Sequence, residues 1–411
     1  MVFRFLRDLA SFWRRQRKNW RIVVTRQLFS RFFNQITMQF SNIYIRELGA
    51  SPTELGSLNS ASSLIGTLIS IPVGWLQDRY SLRKIFLLGV GVSTFVPLIY
   101  AVSNHWLMIV PAMVLAAIGM RLGSCVVICD ISLKSEDRAT GKALCEGMGS
   151  APALLAPLLA AYLITVFRGI SVEGIRPLYW IQFAARVALF LFVALQLGEI
   201  ARAKGMSRGG LLGGLGDIFR EGKALKRFIL FSVVRSFTIS MMMPFRAPFA
   251  HEVKKAEQFV LGWMGTASLL VEVSFSTPLG RLSDRIGRRK VFYLLTPILC
   301  FSNLLFITAP SPELLVLSSL LFGFDPIIVT VVQGAMTPEL IPSEYIGRWR
   351  GILGFFRGLV SIPAPIIGGI IWERLGPHYV FLIPILVELL VRIPIMVTLP
   401  ETLKRGQPTS K

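Results

Sequence analysis

The chain alternates between long apolar runs and short interruptions rich in bases, glycine or proline. Runs near 20 residues recur along its whole length, each long enough as a helix to cross the roughly 30 Å of a bilayer's hydrocarbon. The pattern predicts twelve helices, over about 22–46, 55–77, 83–103, 106–131, 141–167, 178–199, 228–250, 258–280, 289–309, 312–336, 349–372 and 378–399. The first is the most polar, interrupted by Arg26, Arg31, Asn34, Gln35 and Gln39. Polar groups are costly in hydrocarbon, so this helix is expected to face a watery interior rather than lipid. The fold class read from the pattern is an all-α, multi-pass membrane protein.

The loops between the runs orient them. With the N-terminus inside, the cytosol receives Arg4, Arg7, Arg14, Arg15, Arg17, Lys18 and Arg21, together with the bases of the central loop. The opposite loops carry few bases, roughly cancelled by Glu47, Glu54, Glu173, Glu252, Glu257, Glu313 and Glu373. Positive charge concentrates on the cytosolic side of membrane proteins, so both termini are expected there. The expected divisions are a basic segment at 1–21, a six-helix bundle at 22–199, a glycine-rich cytosolic linker at 200–227, a second bundle at 228–399 and a tail at 400–411. Phe3, Leu6, Ala10, Trp13 and Trp20 recur at helical spacing among arginines, the pattern of a helix lying on the inner membrane surface. A frayed basic tail is the alternative.

Composition fits this picture. Of 411 residues, 53% are hydrophobic and only 16% charged. The net charge of +21 is accounted for by the cytosolic girdle, which favours anionic lipid headgroups. No nucleic-acid motif accompanies it, so nucleic acid is not an expected partner.

One motif occurs twice. Gly74-Trp75-Leu76-Gln77-Asp78-Arg79-Tyr80-Ser81-Leu82-Arg83-Lys84 recurs 206 residues later as Gly280-Arg281-Leu282-Ser283-Asp284-Arg285-Ile286-Gly287-Arg288-Arg289-Lys290. Upstream, Leu55-Gly56, Ala61-Ser62, Leu64 and Pro72 align with Leu261-Gly262, Ala267-Ser268, Leu270 and Pro278 without a gap. Ala156-Pro157 and Ala364-Pro365 are a further matched pair, marking bendable, closely packing helices. Glycine at 74 and 280 lets a neighbouring helix approach. Asp78 and Asp284 stand where a helix end meets cytosol and can pair with an arginine or a helix N-terminus.

The repeated motif resembles the signature of the major facilitator superfamily, between helices two and three and again between eight and nine. The second copy matches throughout. The first departs at Ser81, where the family has glycine, and at Leu82, where it usually has a base. The resemblance implies two pseudo-symmetric six-helix bundles and rocking, alternating access to a site near mid-membrane between them. It also implies that Gly74, Asp78, Arg79, Arg83, Gly280, Asp284, Arg285 and Arg289 act as a cytosolic conformational latch; a plain positive-inside loop is the other reading. Ala156-Pro157 and Ala364-Pro365 resemble loose versions of a proline-glycine motif of the family's antiporters, without establishing antiport.

The resemblance further implies that helices one, four, seven and ten line the cavity. These carry Arg26, Arg31, Arg121, Arg235 and Arg246, with Asp325 near mid-depth and Asp130 at an inner end. Ionisable groups inside a membrane are functional candidates. A guanidinium suits a carboxylate or phosphate, so the candidate substrate contacts are Arg31, Arg121 and Arg235, with Asn34, Gln35, Gln39 and Gln333 as polar companions. Snorkelling, structural ion pairs and interhelical hydrogen bonds are the competing readings. Candidate proton carriers are Asp325 first, then Glu272 and Glu146, because a carboxylate in apolar surroundings can hold a proton near neutral pH. Glu388 and Arg392, four apart, are read as neutralising each other.

Cys125, Cys129, Cys145 and Cys300 and the three histidines show no metal-ligand spacing, and no phosphate-binding loop is present. No metal, cofactor or enzymatic activity is expected. The expectation is a monomeric secondary transporter in a prokaryotic plasma membrane, moving a small organic anion, with proton coupling an option. Proton-coupled efflux of amphipathic drugs is the rival, ahead of a lipid flippase or a non-transporting sensor.

Overall fold

The computed structural model describes residues 12–13, 15–123, 128, 133, 150–199, 223–340 and 346–402. Among the described residues the regular structure is helical, without a strand. Eight helices there are long and apolar enough to cross a membrane, and two shorter apolar ones, Trp106–Leu122 and Ala156–Val166, accompany them. In chain order the main helices are α1 (Lys18–Met38), α2 (Ser41–Glu47), α3 (Pro52–Arg79), α4 (Leu82–Val102), α5 (Val110–Leu122), α6 (Ala156–Val166) and α7 (Val172–Gln196). Then follow α8 (Lys223–Pro248), α9 (Gln258–Ile286), α10 (Arg288–Thr308), α11 (Glu313–Phe322), α12 (Ile346–Ser361), α13 (Ala364–Arg374) and α14 (Tyr379–Val387).

Several expected spans are interrupted. The first breaks at Gln39 and Phe40, between α1 and α2. The fourth opens with a 3-10 turn, Trp106–Ile109, and its α-helix stops before Gly123. Pro157 and Pro365 sit in the first turns of α6 and α13, where a missing N–H costs no helical hydrogen bond. The tenth span continues from α11 through Asp325–Ile327, a π turn at Ile328–Gln333, and Gly334–Leu340. The twelfth passes from α14 through a π turn at Glu388–Arg392 into Ile393–Thr398, and α8 runs into a third π turn, Phe249–Val253.

The chain forms two compact units. One comprises Met1–Met38 with Leu68–Ser207, the other Gln39–Thr67 with Arg208–Lys411. In the first, α4 packs on α5 and α7, and α1 packs on α7. Small residues allow this: a methyl added at Gly89 would strike the backbone of Leu122 and Gly123. Trp20 is fully buried in a core with Phe12, Phe86, Val90, Val193 and Leu197. Its expected place on the membrane surface is therefore corrected: its ring meets those of Phe12 and Trp13 at 5.8 and 5.3 Å, and burial of so large a ring outweighs interfacial exposure. Phe3, Leu6 and Ala10 lie outside the described residues.

The second unit is centred on Phe228, Phe231, Phe292, Leu295, Val332, Trp349 and Met396. Phe249 gathers Phe306, Phe381 and Trp372 around it at 5.1, 4.8 and 6.1 Å between ring centroids. Residues 39–67 belong to this unit through specific contacts. Arg46 holds Glu252 with two bonds, 2.7 and 2.9 Å. Glu373 accepts from the Thr53 backbone N–H at 3.0 Å and from its hydroxyl at 2.7 Å, capping the start of α3. Gly56 lies against the Pro365 carbonyl, and a methyl at Gly369 would stand 2.5 Å from the Pro52 oxygen.

Candidate functional site

Three polar clusters stand out among the described residues. The first is the second copy of the repeated motif. Gly287 ends α9 at φ 107°, a left-handed conformation that favours glycine. A Cβ there would stand 2.6 Å from a Glu401 carboxylate oxygen. Glu401 accepts from the backbone N–H groups of Arg288 and Arg289, at 3.0 and 3.2 Å, so it caps the positive end of α10. Arg288 is buried and clamps Asp284 at 2.6 Å, Glu339 at 2.9 Å and the Ser283 hydroxyl at 3.0 Å. Arg289 donates to the Val397 carbonyl at 3.1 Å, while Arg285 is exposed. The close helix approach expected at Gly280 is corrected: nothing lies within 4 Å of where its Cβ would be.

In the first copy, the surroundings of Gly74 and the side chains of Asp78 and Arg79 lie outside what the structure describes. Arg83 and Ser81 both reach Glu199, at 3.4 and 3.3 Å. Ser81 has φ −58°, an ordinary value, so this turn has no need of the family's glycine. Glu199 and Glu401 thus do equivalent work, each tying a motif loop to the end of its unit's last span. Sequence reading missed Glu199, whose isolated position gives no motif.

The second cluster lies inside the second unit. Arg235 of α8 pairs with Asp325, and Arg392 pairs with Glu388 on its own helix. These residues, with Thr238, Cys300 and Asn303, border a cavity of about 30 Å³, room for water. Arg392 is buried with its guanidinium 4.5 Å from the Phe231 ring centre. Arg246 is buried between Phe322 and Phe306, at 3.9 and 4.5 Å, and donates to the Asn303 side-chain oxygen at 3.5 Å. Arg357 donates to the Gln333 side-chain oxygen at 2.9 Å. Among the described residues Arg246 and Arg357 are each hydrogen-bonded to an amide oxygen, and the Asp325 carboxylate acts on Arg246 through its charge.

The third cluster lies inside the first unit. Arg186 of α7 donates to the Ser93 carbonyl and, at 3.2 Å, to Asn34 Oδ1. Gln182 donates to the same Asn34 oxygen at 3.4 Å and accepts from the Thr37 hydroxyl at 3.2 Å. Arg26 donates to the Gly123 carbonyl at 3.2 Å, with its guanidinium 5.1 Å from the centre of the Phe86 ring.

The expected contacts distribute over these clusters. Asn34 joins the third and is exposed; Asp325, Arg235 and Gln333 join the second. Arg31, Gln35, Gln39 and Glu272 are half-buried, and Arg121 is exposed in the last turn of α5. Glu146 and Asp130 lie outside the described residues. Arg186, Gln182 and Arg357 lie on spans outside the four that the resemblance assigns to the cavity, so no signal in the sequence points to them.

Repeated motif loops between apolar helical spans are the marks of a multi-pass membrane protein, and the comparisons name its family. The family model for the Major Facilitator Superfamily matches residues 27–254 and 228–411. An uncharacterised MFS-type transporter of Methanocaldococcus jannaschii is 24% identical over 86% of this chain and 89% of its own length. The multidrug resistance protein MdtG of Klebsiella pneumoniae is 24% identical over 85% of each. Among solved structures, the nucleoside transporter NupG superposes with a TM-score of 0.76 at 16% identity, covering 93% of this chain and 99% of that one. With the repeated signature in sequence, the helical fold in three dimensions and a family match spanning nearly the whole length, this chain belongs to the Major Facilitator Superfamily.

Proposed function

We propose that this multi-pass transporter carries a small organic anion by alternating access, coupled to protons through Asp325. The observation that supports it is the charge pattern of the described spans. Among the described residues Arg186 and Arg357 are bonded only to carbonyl and amide oxygens, so those bonds bring no carboxylate to their charge. Positive charge in a low-dielectric interior attracts an anion, and a guanidinium fork matches carboxylate or phosphate.

The Arg235–Asp325 pair supplies the coupling step. When the bound anion draws Arg235 away from it, the Asp325 carboxylate loses its counter-charge and takes up a proton from solution. When the anion leaves, Arg235 returns and the proton is released. The bundles at 22–199 and 228–399, the linker between them, the cytosolic termini and a prokaryotic plasma membrane complete this reading, with a monomer as the working unit.

Thermal stability of purified protein against a panel of organic anions and a panel of lipophilic cations, at two pH values, tests it. Stabilisation by at least one organic anion and by no lipophilic cation is the expected result. The likeness to MdtG favours a second reading, efflux of amphipathic drugs. Stabilisation only by lipophilic cations, abolished in Asp325→Asn, would establish that one instead.

A further inference from the structure

The two units carry the same pair of positions on their last spans, with one change. Shifted by the 206-residue repeat, Arg186 corresponds to Arg392 and Gln182 to Glu388. Phe86, which Arg26 overlies, likewise corresponds to Phe292, whose ring centre is 5.4 Å from the Arg392 guanidinium. In the second unit the Glu388 carboxylate neutralises Arg392 one turn away. In the first unit the matching residue is an uncharged amide, and the described partners of Arg186 are neutral.

What surrounds Arg186 sharpens the contrast. Its described partners are the Ser93 carbonyl and the Asn34 side-chain oxygen, both neutral. Among the described residues, the charge that bears on it is the positive charge of Arg26. Two of a guanidinium's five N–H donors are engaged in these bonds, among the described residues. Arg186 is half-buried and Asn34 is exposed, so the group is within reach of a solute. A charged group so placed, beside a like charge, is stabilised most by an anion from outside the chain.

We infer that Arg186, with Asn34 and Gln182, forms the seat for the acidic group of the transported molecule, a single carboxylate or phosphate. The guanidinium takes the oxyanion through its remaining N–H groups. The Asn34 and Gln182 amides, which now share an oxygen, turn N–H donors toward it. Arg26 adds attraction from behind. Neutral glutamine at position 182 is what keeps the seat vacant for substrate; a carboxylate there would fill it permanently. This assignment rests on the organic-anion reading and narrows it to one group of residues.

Gln182→Glu is the decisive variant, because it installs in the first unit the ion pair that the second already has. Its shape is nearly unchanged, so the fold is retained. With no anion added, it should raise the melting temperature in detergent by at least about 2 °C. Benzoate, 2-oxoglutarate and phenyl phosphate serve as probes. At least one should stabilise the wild type, and its affinity should fall roughly tenfold or more in Gln182→Glu and in Arg186→Gln, with partial recovery in Arg186→Lys. If the effective probe stabilises Gln182→Glu as well as it does the wild type, the seat is elsewhere, while the organic-anion reading stands. If Gln182→Glu is no more stable than the wild type without anion, Arg186 lacks the missing counter-charge and the assignment is overturned. If no probe stabilises the wild type, both the assignment and the reading beneath it fall.

Discussion

At residue 287 one torsion angle decides what can stand there. Gly287 holds φ 107°, and the Glu401 carboxylate occupies the space a Cβ would take. Alanine there meets two obstacles, a left-handed backbone and a displaced helix cap. Each costs about 1–2 kcal/mol. Gly287→Ala should therefore lower the melting temperature by several degrees, while Ser81→Ala in the first copy changes it little. Equal effects of the two would show that the loops are held in the same way. The repeat was legible in sequence, and so was Asp284 as a group that pairs with an arginine. Its partner was not: Arg288 draws on Asp284, Ser283 and Glu339, and Glu339 is 51 residues further on. The Arg235–Asp325 pair, 90 residues apart, was hidden for the same reason. Sequence named both groups as separate candidates, for substrate and for proton, and the fold makes them one.

Among the elements, the seam between α3 and α13 has the tightest tolerances. Gly56 faces the Pro365 carbonyl and Gly369 faces the Pro52 carbonyl, so each helix presents a glycine to the other's proline. Backbone atoms cannot swing aside as a flexible side chain can. On the neighbouring α12, Gly358 also comes close to α3: a Cβ there would lie 2.6 Å from the Thr67 hydroxyl oxygen. Gly369→Leu should force this seam apart without disturbing either helix. In a background freed of native cysteines, a disulfide between Thr53→Cys and Glu373→Cys should form readily. Adding Gly369→Leu should slow its formation roughly tenfold; an unchanged rate would mean that the seam has slack. The helices themselves were legible as apolar runs. Their interruptions were legible only where proline marked them, since the break at Gln39 and Phe40 and the three π turns follow from packing rather than from local composition.

For the molecule as a whole, the alternating access expected of this superfamily needs contacts that can be made and released. Arg46 and Glu252 are suited to this: two short bonds between groups that remain partly exposed, 21% and 30% by side chain. Partial exposure keeps such a pair modest in strength. A double-mutant cycle with Arg46→Gln and Glu252→Gln should give a coupling energy of about 1 kcal/mol, and exchanging the two residues should recover most of the wild-type stability. Coupling indistinguishable from zero would remove the pair from any gating role. The pairs Arg235–Asp325 and Arg392–Glu388 are of another kind, enclosed around one cavity and far costlier to break singly.

The π turns at Ile328–Gln333 and Glu388–Arg392 each fit an extra residue into the coil. Were either to relax to ordinary α geometry, every side chain beyond it would swing by about 100° around the helix axis. Gln333 would then leave Arg357, and Arg392 would leave its aromatic bed. A migrating bulge works like a ratchet tooth: it re-aims a row of polar groups by one notch, while the rest of the rod stays wound.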